Sequence, residues 1–275
     1  MKTIIVPTDF SKAASHALEL AKWMAKKTNA TIHLANFYSI PVADYSYPDI
    51  SMPGEILEQI RKAAVEGIDK LSVELKAEGF SVDSTIDMGM IADEVVNLAS
   101  RLQADLIIMG TTGDKDIMNK IVGSNAAHVM QRVTQPILLV PQDCNCDGIR
   151  NVIYLDQLEE DDTAVLSKLF ALAEELQIDN NIRLLNVNTG FFFKPINEDL
   201  MLKLDKTFGL EKIKLETVDG ADVKEGIEHY LENHKIDLVV MSTHKKSFLE
   251  RVFSKSDTKE MAMYGKLPLL VYHKD

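Results

Sequence analysis

The residues best placed to do chemistry lie in one stretch, Gly110-Thr-Thr-Gly113-Asp-Lys-Asp-Ile-Met-Asn-Lys-Ile-Val-Gly123-Ser124-Asn125, a G-x2-G-x9-G-[ST] spacing. Glycines let a backbone come close to a ligand. Gly123-Ser124 then opens a predicted helix whose first N–H groups have no internal partners, so donors and dipole together form a seat for an anion such as phosphate. Glycines that serve only turns and helix packing are the structural alternative. A second candidate is Pro7-Thr8-Asp9-Phe10-Ser11. The Asp9 carboxylate there could accept hydrogen bonds from a ribose or a base, or Asp9 or Ser11 could simply cap the helix that follows. Phe37 could wall a base or belong to the core. Asp114 and Asp116 could assist a divalent ion near phosphates, although acids in a polar loop are usually just solvated.

Motifs for other chemistries are missing from the sequence. The one Gly-Lys pair, Gly265-Lys266, is followed by Leu267, so there is no G-x4-G-K-[ST] loop. Neither a G-x-S-x-G elbow nor an H-E-x-x-H helix occurs. The two cysteines, Cys144 and Cys146, lack a second pair to complete a zinc site. They read as part of an exposed linker in a reducing compartment. His33 alternates within a strand and reads as a satisfied sheet-face residue. No catalytic residue and no metal site is expected.

The elements that must position these residues follow from an internal repeat. Asp105-Leu-Ile-Ile-Met-Gly-Thr111 matches Asp237-Leu-Val-Val-Met-Ser-Thr243, and Pro136-Ile-Leu-Leu-Val140 matches Pro268-Leu-Leu-Val-Tyr272, both 132 residues apart. Lys2–Val6 and Ile32–Asn36 likewise match Arg150–Tyr154 and Ile182–Asn186. Between the copies, Gln142–Gly148 is polar and turn-rich, so two domains are expected, 1–141 and 149–275. In the first, β-branched runs at 3–7, 31–37, 81–88, 105–109 and 136–140 alternate with helical patterns. Ser11 caps a helix carrying Ala14, Leu18, Ala21 and Ala25 on one face, and further helices are expected over 55–79, 92–102 and 124–133. Continuous apolar strand runs imply a parallel sheet covered on both faces. The expected fold is α/β, with two tandem doubly wound domains, each a mainly parallel five-stranded sheet flanked by helices. Ligands of such sheets bind beyond the carboxyl ends of the strands, where both candidate loops fall.

Composition agrees with a folded chain: 275 residues, 46% hydrophobic and 26% charged. The formal charge of −12 disfavours nucleic acid and anionic membranes as partners, while screening leaves a local pocket free to hold one small anion. Apolar stretches fall well short of a membrane span, and the first residues do not resemble a secretory signal. A cytoplasmic location is expected.

The Val6-Pro-Thr-Asp-Phe-Ser11 opening, the glycine loop and the closing Pro136-Ile-Leu-Leu-Val140 strand resemble the universal stress protein family, in tandem form. The resemblance implies ATP, with or without Mg, as a ligand of the first copy. It implies a binding set of Pro7, Thr8, Asp9, Phe37, Met109, Gly110, Gly113, Gly123, Ser124 and Asn125, although a small apolar residue is commoner where Asn125 stands. The second copy departs further, because Gly110, Gly113 and Gly123 become Ser242, Lys245 and Lys255. Side chains there should crowd the cradle, so a nucleotide is expected in the first copy only, in a stress-response or regulatory module. A slow ATP hydrolase using Asp9 or Asp114, and a nucleotide-free interaction scaffold, are the alternatives. The resemblance also implies that the two domains pair through their last strands inside one chain, which would cover otherwise open sheet edges. Any further homodimer would use another surface.

Overall fold

A computed structural model describes residues 1–39, 54–111, 124–144, 147–155, 162–178, 182–190, 198–209, 213–243 and 266–274. The first copy runs β1 (Thr3–Pro7), α1 (Lys12–Thr28), β2 (Thr31–Tyr38), α2 (Gly54–Ala77), β3 (Val82–Met88), α3 (Ile91–Leu102), β4 (Leu106–Thr111), α4 (Ser124–Arg132) and β5 (Ile137–Pro141). The second runs β6 (Val152–Leu155), α5 (Asp162–Glu175), β7 (Ile182–Asn188), α6 (Glu198–Phe208), β8 (Lys214–Asp219), α7 (Val223–Asn233), β9 (Leu238–Thr243) and β10 (Leu269–His273). All strands join one sheet in the order β3-β2-β1-β4-β5-β10-β9-β6-β7-β8. Each copy therefore contributes the same doubly wound order, with the reversal between its first and fourth strands. Pairing is parallel within each copy and antiparallel at the seam, where Leu269, Leu270 and Val271 face Leu139, Leu138 and Ile137.

Alternation along the strands divides the core into two layers. Ile4 and Val6 point with Ile32 and Leu34 toward Leu18, Ala21 and Ile68 on α1 and α2. Ile5, Ala35 and Ile107 point the other way, toward Val95 of α3 and Val129 of α4. Both layers continue across the seam, one through Leu138 and Leu270, the other through Leu139 and Val271. The outer strands β3 and β8 carry Asp83, Asp87, Lys214, Glu216 and Asp219, charges that discourage a further strand from pairing.

α1 begins where its sequence signal lies. Ser11 Oγ accepts the Ala14 N–H at 3.2 Å, and Ala14, Leu18, Ala21 and Ala25 are buried. Asn29 ends the helix in the left-handed region at φ 55°, a conformation that asparagine tolerates. The aspartates that open the repeated segments act alike in both copies. Asp105 Oδ2 accepts the N–H groups of Lys2 and Thr3 at 2.7 and 2.9 Å, and Asp237 Oδ2 accepts those of Arg150 and Asn151 at 3.1 and 2.8 Å. Each thereby ties its copy's fourth strand to the start of the first. His33 is buried on β2, its Nε2 2.7 Å from Thr85 Oγ1. In the second copy Arg183 and Glu216 occupy the corresponding places, Nε to Oε1 at 3.3 Å, and Tyr230 Oη donates to Glu216 Oε2 at 2.6 Å.

The linker departs from expectation. It lies along α1, with Asp143 Oδ1 3.8 Å from Lys12 Nζ and Gly148 against Trp23. Cys144, expected to be exposed, is 7% exposed within the α1-side core, because the linker packs on the helix instead of crossing open solvent. Cys146 lies outside the described residues.

Candidate functional site

At the carboxyl ends of β1 and β4, on either side of the strand-order reversal, the surface opens into a cavity of about 140 Å³. Its lining draws on the β1–α1 turn (Pro7, Thr8, Asp9, Ser11, Ala14), β2 (Ala35, Phe37), Ile91 at the start of α3, β4 (Met109, Gly110) and the start of α4 (Asn125, Ala126).

The β1–α1 turn is held by its own hydrogen bonds. Thr8 N–H donates to Ala35 O at 2.8 Å, and Asn36 Nδ2 donates to Thr8 O at 2.8 Å. Phe10 N–H meets Thr8 Oγ1 at 3.1 Å, and Ser11 N–H meets Asp9 Oδ1 at 3.0 Å. Phe10 itself takes φ 63°, the bend that turns the chain from strand into helix. Of the two possible caps, Ser11 is the one used. Asp9 is exposed and steadies the turn through Oδ1, and Oδ2 has no partner among the described residues. Phe37 and Met109 are each 8% exposed, so each serves the core and the cavity wall together.

Gly110 has a reason that the sequence did not show. A Cβ at this position would stand 2.5 Å from Ala13 O and 2.6 Å from Ala14 N, inside the backbone of α1. The glycine is where helix and strand meet, so its first role is packing, although it also lines the cavity. Gly113 and Gly123, with Asp114 and Asp116, lie outside the described residues. Ser124 is the first residue of α4, and Asn125 is exposed at the cavity wall.

Five lining residues are absent from the expected binding set: Ser11, Ala14, Ala35, Ile91 and Ala126. Asn36 was missed too, and it had left a signal, since the repeat preserves it as Asn186, also buried. In the second copy the sheet register sets Leu155 beside Leu185 where the first sets Pro7 beside Ala35. Leu185 and Ser242, the counterparts of Ala35 and Gly110, are both 2% exposed. The second copy's basic loop, including Lys245 and Lys255, lies outside the described residues. Among the described residues no group of three or more His, Cys, Asp or Glu could hold a metal ion. Nor is any helix there long and apolar enough to cross a membrane.

Comparison with known proteins agrees with this architecture. Two universal stress proteins of Methanocaldococcus jannaschii are 32% identical over 148 residues and 27% identical over 154. Each match covers 50% of this chain, and 81% and 94% of the relatives. Over the whole length, the crystal structure of a universal stress protein from Archaeoglobus fulgidus superposes with a TM-score of 0.75 at 14% identity, covering 99% of this chain and 98% of that one. A structure from Pseudomonas aeruginosa described as a putative universal stress protein gives 0.63 at 15% identity, covering 100% and 94%. The sequence model of the universal stress protein family matches residues 1–141 and again 152–273. With a doubly wound α/β domain present twice in tandem, this chain belongs to the universal stress protein family.

Proposed function

We propose that the first copy binds an adenine nucleotide, ATP, in the cavity beyond β1 and β4, and that the chain is a nucleotide-responsive regulatory module of the cytoplasm. The observation that carries this reading is the convergence of Asp9, Phe37, Met109, Gly110 and Asn125, from separate elements, on one cavity at the strand-order reversal. The described walls enclose less than the roughly 300 Å³ of a typical small-molecule pocket, so they suit part of a nucleotide, the base and ribose. Phe37 and Ile91 offer apolar surface to a base. Asp9 Oδ2 is free to accept from ribose hydroxyls. The N–H groups of the first turn of α4, beginning at Ser124, lack partners within the helix and suit phosphates, and Gly113 and Gly123 would complete that seat. ATP, with or without Mg, supplies a charged group whose presence or absence can be read by a partner.

The second copy is proposed to bind no nucleotide, because Leu185 fills space that Ala35 leaves in the first. We further propose domain limits of 1–141 and 149–275, paired in solution through β5 and β10 as the register at the seam suggests. The test is protein purified without added nucleotide and then denatured. ATP or ADP in the released fraction of the parent, and its loss from Gly113→Val and Gly123→Val variants that melt like the parent, is the expected result. Parent protein that neither carries nor binds adenine nucleotide would refute the reading.

A further inference from the structure

A second chamber, of about 390 Å³, lies away from the first cavity. Its walls come from three places: Trp23 and Lys27 near the end of α1, residues 147–150 where the linker enters the second copy, and the turn after α5 at residues 176–178. Asp147 and Gly148 of the second wall belong to the linker, so two unlinked copies would lack them. The linker is seated closely. A Cβ on Gly148 would stand 2.5 Å from Trp23 Nε1 and 2.8 Å from Cε2, and its φ of 110° is one that side chains rarely adopt. Glycine lets the chain pass along the edge of the indole.

The chamber joins an apolar wall to positive charge. Ile149 and Leu176 are buried, and Ile178 and Trp23 are half-buried. Lys27 Nζ stands 5.4 Å from the centre of the indole ring and 3.4 Å from Gln177 Oε1. Arg150 is exposed, its backbone N–H already held by Asp237. Neither cation forms an ion pair among the described residues. Among the described residues Asp147 is the only carboxylate in the lining, and it has an interaction of its own. On a chain of formal charge −12, two cations with no ion pair among the described residues stand here beside an aromatic wall. The chamber's size lies within the usual range for small-molecule sites, roughly 300–1,000 Å³, and such sites favour domain boundaries.

We propose that this chamber is a second ligand site, for a small planar organic anion whose charge is taken by Lys27 and Arg150 and whose apolar face lies beside Trp23. Charge-assisted bonds from both cations supply the attraction, and the indole wall selects a flat body over a bare inorganic anion. The linker makes the site a property of the tandem chain.

The full chain is titrated with 2-naphthoate and with the neutral 2-naphthamide by calorimetry, and emission from Trp23, the chain's one tryptophan, is followed in parallel. The expected result is one naphthoate per chain with emission changing in step, and binding about tenfold weaker or worse for naphthamide, Lys27→Met and Arg150→Met. Saturating ATP should leave naphthoate affinity unchanged. If Lys27→Met alters the melting curve, Lys27→Arg must retain binding. The proposal is overturned by the absence of naphthoate binding at millimolar concentration, by equal affinity for naphthamide, by indifference to both methionine substitutions, or by displacement with ATP.

Discussion

Gly110→Ala is expected to loosen the junction that supports the proposed nucleotide cavity. The new methyl group would stand 2.5 Å from Ala13 O and 2.6 Å from Ala14 N, where an ordinary contact needs about 3.5 Å. Those atoms are helix backbone and cannot rotate aside. Nor is the helix free to slide, since Ser11 caps it and Ala13, Ala14 and Ala17 are buried against the sheet. Relief requires α1 to move by roughly 1 Å, and overpacking of this kind costs about 1–3 kcal/mol, at the upper end when backbone must shift. Alanine recovers about 0.4–1 kcal/mol by restricting the unfolded chain. The net loss is then about 2 kcal/mol, read as a lower urea midpoint with unchanged slope, or as a melting temperature lower by about 4–8 °C. Because Ser11 and Ala14 line the cavity, nucleotide affinity should fall as well. A Gly110→Ala protein as stable as the parent would refute the packing role assigned to this glycine.

Asp105→Asn and Asp237→Asn should each weaken the tie between the first and fourth strands of their own copy, at a cost of about 1.5–3 kcal/mol apiece, and the two losses should add in the double variant when followed by urea denaturation. Asn36→Ala removes the 2.8 Å bond to Thr8 O, and a loss of about 1–2 kcal/mol with weaker nucleotide binding is expected by chemical denaturation and calorimetry. Burial holds the His33 imidazole below its ordinary pKa of 6.5, with Arg101 acting in the same direction and Asp83 against it. The unfolded chain thus takes up the proton first, so stability is full above pH 6.5 and declines as the pH falls below it toward the folded value. The His33→Gln protein should show a flatter stability profile in that window, and an unchanged slope would remove His33 from the account.

Local signals made much of the fold legible. Ser11 and the three- and four-residue spacing of Ala14, Leu18, Ala21 and Ala25 mark α1, and the apolar runs of β4 and β5 could belong only to strands buried on both faces. Four features were not legible because each depends on what lies across the sheet or beside a helix. Gly110 reads in the sequence as a residue that lets backbone approach a ligand, and nothing there shows that its missing side chain also makes room for the backbone of Ala13 and Ala14. Ala35 carries no local sign that a cavity lies beside it, and only the comparison with Leu185 gives its size a meaning. Cys144 sits in a polar stretch, and its burial follows from the path of the linker along α1. The pairing of Arg183 with Glu216 where the first copy has His33 and Thr85 joins residues from adjacent strands, which no single segment reveals.

The central claim, one nucleotide per chain held in the first copy, is tested most directly by calorimetric titration of ATP into the parent and into Ala35→Leu, which gives the first cavity the second copy's side chain. The account predicts one ATP per parent chain and no measurable binding by a folded Ala35→Leu protein. Two ATP per parent chain, or undiminished binding by Ala35→Leu, would contradict it.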